Sequence, residues 1–107
     1  MDKSLAINII NDICNNSKTD DDILNKIEKW KIVLNQTSFN KLALIYMTFI
    51  YEDIIKYPNK KKLIDVKDEM NEFLIYKDVQ SDDSSRAKAV IFVFMKYKKC
   101  EKNDLLD

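Results

Sequence analysis

Asp65, Asp68, Glu69 and Glu72 recur at i, i+3, i+4 and i+7, which places four carboxylates on one face of a helix at about 100° per residue. Magnesium is a hard cation that wants several oxygens, and helix-borne carboxylates hold it in all-helical nucleotide hydrolases. The same four acids lie opposite Leu63, Met70 and Phe73, however, and Lys61, Lys62 and Lys67 stand close enough to neutralise them in part. That pattern describes a solvated helix face, so no metal is assigned.

Other chemistry-bearing groups are few. Cys14 and Cys100 stand far apart, outside any CxxC pattern, and the chain has no histidine to activate a thiol. They read as two thiols in a reducing cytosol, with a Cys14–Cys100 disulfide open. The chain also has no glycine, so the glycine-defined phosphate loops and dinucleotide fingerprints are excluded. No catalytic residue and no cofactor is assigned, and the chain reads as a non-enzyme.

Lys60, Lys61 and Lys62 carry more information. They open a helix, whose N-terminal end is itself partly positive. Such frustration suits an acidic partner or a phosphate chain as well as it suits a solvated turn. A second cluster, Lys96, Lys98, Lys99 and Lys102, sits at a helix C-terminus, where positive charge is at ease. With 18 basic and 18 acidic residues there is no net charge. Arg86 is the sole arginine beside 17 lysines, whereas nucleic-acid reading favours arginine's planar fork of donors. Nucleic acid is therefore disfavoured as a partner and kept as the alternative. The lysine, asparagine and isoleucine usage fits an AT-rich genome, as in low-GC bacteria or viruses.

The elements that would position these groups are helices. A chain without glycine and with one proline avoids tight hairpins and close backbone approaches. The pattern predicts an all-α, compact bundle of about five short helices in a single domain over residues 1–107, with 101–107 a frayed tail. The first helix, 3–14, buries Leu5, Ala6, Ile9, Ile10 and Ile13, with Asn15 and Asn16 as a left-handed stop signal. The second is opened by Thr19 and the acidic turn Asp20, Asp21, Asp22. It carries Ile23, Leu24, Ile27, Trp30 and Leu34 inward, and Asn35 closes it.

The third helix, 38–57, ends before Pro58. Its main face is Phe39, Leu42, Ala43, Tyr46 and Ile50, and Asp53 projects onto that face and needs a partner. The opposite side, Leu44, Tyr51 and Ile55, is apolar too, so this helix is expected at the centre of the fold or shared with a partner. A helix over 60–77 and one over 86–99 follow. The run 89–95 is β-branched and aromatic, with strand propensity, but it has no second strand to pair with and is read as helix. Its inner face is Ala87, Val90, Ile91 and Phe94.

No apolar stretch has the length of a signal segment or a membrane span. A soluble, cytoplasmic protein is expected. The function expected is recognition of another protein, which the chain would inhibit, neutralise or bridge. The analogy is to small helical immunity proteins, defence antagonists and death-fold mimics, at the level of fold. The binding surface is expected at Leu44, Tyr51, Ile55, Lys60, Lys61 and Lys62, with a homodimer as a further possibility.

Overall fold

A computed structural model describes residues 2–56 and 83–106, together with Asp68 and Asn71 as isolated helical positions. Four helices run through it: α1 (Lys3–Asn15), α2 (Asp20–Val33), α3 (Gln36–Lys56) and α4 (Asp83–Leu106). There is no strand among the described residues. The helix expected over 60–77 lies outside them, so a fifth helix is not part of the description. The radius of gyration is 13.2 Å, about what a compact domain of 100 residues has.

The starts of α1, α2 and α3 have local causes. Asp2 accepts a hydrogen bond from the Leu5 N–H at 2.8 Å and caps α1. At α2 the capping box is reciprocal: Thr19 Oγ1 accepts from the Asp22 N–H at 3.2 Å, and Asp22 Oδ2 accepts from the Thr19 N–H at 3.1 Å. Asn35 does not close α2. It opens α3, its Oδ1 accepting from the Ser38 N–H at 2.8 Å, so α3 begins earlier than its hydrophobic pattern suggests. Leu34 ends α2 by turning extended, at φ −87° and ψ 145°.

The asparagine stop signal after α1 works by a different mechanism from the one expected. Asn16 has φ −113°, well away from the left-handed region. Its side-chain amide instead donates to the Asp12 carbonyl at 3.1 Å. That satisfies one of the carbonyls a helix end leaves without an intrahelical donor.

The core gathers one face of each of the first three helices around α4. Ala6, Ile9 and Ile13 come from α1, Ile23 and Ile27 from α2, and Phe39, Leu42, Ala43, Tyr46 and Ile50 from α3. From α4 come Ala87, Ala89 and the unbroken run Ile91 to Met95. The third helix, expected near the centre, packs against each of the other described helices. A run buried at consecutive positions is buried all round, and that run belongs to α4, which like α3 packs against every other described helix. The β-branched and aromatic residues of 89–95 are helical, because a chain of helices offers them no strand to pair with.

Polar ties join the helices in pairs. The Tyr46 hydroxyl donates to the Ala6 carbonyl at 2.8 Å. The Trp30 indole N–H donates to Asp12 Oδ2 at 2.9 Å, and the Lys26 ammonium donates to the Asp12 carbonyl at 3.1 Å. Lys88 pairs with Glu28, and Lys96 lies 3.5 Å from Asp20. Cys14 Sγ rests against Met95, 3.7 Å from its carbonyl oxygen. Tyr46 stacks on Phe94 with ring centroids 4.3 Å apart and planes 6° from parallel. Phe49 tilts against both rings.

Candidate protein-binding face

Helix α3 buries one side so fully that its other side is fixed by default. With Phe39, Leu42, Tyr46 and Ile50 in the core, the residues about 180° away must point outward at 3.6 per turn. Leu44, Tyr51 and Ile55 are those residues, and their exposures are 67%, 55% and 65%. Exposed Thr48 falls between Leu44 and Tyr51 on the same stripe, its hydroxyl turned back to the Leu44 carbonyl at 3.0 Å. Among the described residues no neighbouring helix covers these three side chains.

Beside the stripe lies a groove of about 310 Å³ between α3 and α4. Ala43, Leu44 and Met47 line it from α3, Ala87 and Val90 from α4, and Asn40 and Arg86 stand at its rim. Its cause is local: Ala43 and Ala87 are short side chains where two helices pack, so the space between them is left partly unfilled. Leu44 belongs to both stripe and groove, which makes one continuous apolar surface. The sequence pattern assigned Ala43, Ala87 and Val90 to the core and passed over Met47. The legible signal was the pair of alanines, but only a known α3–α4 pairing gives it meaning.

Lys60, Lys61 and Lys62, the other half of the expected surface, lie outside the described residues. So do Asp65, Glu69 and Glu72, while Asp68 is exposed. Among the described residues no group of three or more histidine, cysteine, aspartate or glutamate side chains could hold a metal ion. No helix among them is long and apolar enough to cross a membrane.

The remaining candidates are absorbed by packing. Asp53 meets the Tyr97 hydroxyl, which donates to its Oδ2. The partner that Asp53 needs therefore comes from α4. Lys96 lies over the Phe92 ring, 5.4 Å from its centroid, and Lys98 over Phe94 at 5.7 Å. These two lysines serve internal contacts, which weakens the picture of α4 as a basic surface. Burial pushes the Tyr46 phenol far above its ordinary value of 10.0, and the neighbouring Cys14 adds to the shift.

Two further features escaped the sequence pattern. Ile32 and Val33 at the end of α2 are 83% and 71% exposed. A polar hollow of about 410 Å³ is lined by Asn16, Lys18, Asp22, Asn25, Lys26 and Lys29. In it, Asp22 is held by its cap and Lys26 by Asp12. Compared with family models, with curated proteins and with solved structures, the chain matches none.

Proposed function

We propose that the chain is a non-enzymatic recognition module that binds another protein through the outer face of α3 and thereby inhibits, neutralises or bridges it. The observation that carries this reading is the exposure of Leu44, Tyr51 and Ile55 in a single stripe continuous with the α3–α4 groove. A lone exposed leucine means little, because apolar atoms make up much of any protein surface. Three large apolar side chains along three helical turns, joined to an apolar groove, form a contiguous patch of the kind that interfaces cover.

The chemistry of the patch suits a protein better than it suits a small molecule. Tyrosine and aliphatic side chains make the anchor, and Lys41, Glu52 and Lys56 make a charged rim. That is the anatomy of a protein–protein contact, with an apolar centre inside a polar border. The groove alone is open and lies at the low end of the size of small-molecule pockets.

Photo-crosslinking tests the reading. A benzophenone amino acid is placed at Tyr51, at Leu44, and at Lys29 on the exposed side of α2 as a control, and the native cell is irradiated. Discrete adducts from positions 44 and 51, absent from position 29 and lost on Ile55→Asp, are expected. Equal, diffuse labelling from all three positions would refute binding through this face.

A further inference from the structure

The rim of the α3 face has a regularity that its apolar centre does not require. Lys41 and Glu52 are both exposed. At about 100° per residue they lie on the same flank of the Leu44–Thr48–Tyr51–Ile55 stripe, within about 20° of each other. They are eleven positions apart in sequence, which sets them about 16 Å apart along the axis. They are therefore too distant to pair within the helix, and neither forms an ion pair with another described residue.

Two identical helices placed face to face by a two-fold axis perpendicular to them run antiparallel. In that arrangement each flank meets the same flank of the other copy in reverse order. A two-fold axis at the level midway between Lys41 and Glu52 then brings each lysine opposite the glutamate of the other copy, twice. The stripe responds well to the same register. Measured from the axis at about 1.5 Å per residue, Leu44 lies about 4 Å to one side. The second copy's Thr48 and Tyr51 lie about 2 Å and 7 Å to that side, so Leu44 fits between them. Met47 sits almost on the axis and meets its own copy. A parallel pairing swaps the flanks and sets Lys41 beside Asn40, with no opposite charge to meet.

We infer that two copies of this chain pair through the outer face of α3, antiparallel, with Lys41 of each opposite Glu52 of the other. The inference rests on the proposed function only in taking this face as an interface; the occupant differs. The apolar centre supplies the attraction and the charges fix the register, as flanking charges do in paired helices. A contact of one helix face is small beside a standard interface of about 800 Å² per partner, so the pair is weak and concentration-dependent. Any other protein bound at Leu44 and Tyr51 must then displace the second copy.

Sedimentation equilibrium of the whole chain from about 1 µM to 1 mM tests this, with Lys41→Glu and Glu52→Lys. Either substitution alone sets like charges opposite each other at both contacts, and each single variant is expected to self-associate about tenfold more weakly. An equimolar mixture of the two single variants restores both attractions, and so does the double variant K41E/E52K. Both are expected to associate like wild type. Both positions are exposed, so folding is not at stake, and circular dichroism checks it.

A wild-type chain that stays monomeric up to 1 mM overturns the inference. So does association that the single variants leave unchanged, or a mixture no stronger than its components. Monomeric behaviour together with crosslinks from position 51 to another protein would overturn self-pairing and leave the proposed function standing. Crosslinks joining only two copies of this chain would do the opposite.

Discussion

At the scale of single residues, polar side chains tie one helix to another. Tyr46 shows the pattern most clearly. Its ring is fully buried and stacked on Phe94, while its hydroxyl reaches the Ala6 carbonyl across to α1. Tyr46→Phe keeps the stack and removes the bond, at a cost of about 1 kcal/mol at neutral pH. Burial raises the folded-state phenol above its ordinary value of 10.0. The unfolded chain therefore releases this proton near 10.0 while the folded chain holds it. The stability is fully present below that pH and is lost as the pH climbs above it. Thermal unfolding from pH 8 to 11 should show wild type losing its advantage over Tyr46→Phe above about 10. A constant gap would mean that the phenol is not buried as described. Asp53 teaches a related lesson about the sequence. Its position on an apolar helix face was legible, and so was its need for a partner. That the partner is Tyr97 was not, because a contact across 44 positions leaves no trace in helical spacing.

At the scale of elements, the parts of the fold that were legible are those with local causes. The Thr19–Asp22 box is written in four consecutive residues and appears as written. Thr19→Ala removes the hydroxyl that accepts from the Asp22 N–H, and should cost about 1 kcal/mol in urea unfolding, with Thr19→Asn close to wild type. A loss under 0.3 kcal/mol would show the cap to be solvated at no benefit. The two asparagine signals were located correctly and assigned the wrong mechanism. Asn16 ends α1 through its side-chain amide, and Asn35 begins α3 where the hydrophobic pattern has it end α2. Both errors have one source. Asparagine serves as a left-handed stop, as an amide that donates to a helix-end carbonyl, or as an N-cap, and only the backbone angles and the neighbours decide which.

At the scale of the whole molecule, the helical class was legible from the missing glycine and the helical spacing, but which apolar segment is buried all round was not. Two segments were apolar on more than one side, 39–55 and 89–95. Helical spacing shows that a side is apolar without showing what covers it. The structure gives the cover to α4, whose run Ile91 to Met95 is buried throughout, and leaves α3 with one wet apolar side. The proposed recognition rests on that placement: the described residues bury one side of α3 and leave Leu44, Tyr51 and Ile55 exposed. The most direct test needs no partner. The triple variant L44Q/Y51Q/I55Q is unfolded in urea at low micromolar concentration, where self-pairing is negligible. Glutamine is a good helix former without charge, so it probes cover alone. The account predicts a stability within about 1 kcal/mol of wild type and an unchanged m-value. A loss of about 4 kcal/mol or more would mean that this face is packed against the chain itself, and would contradict the account.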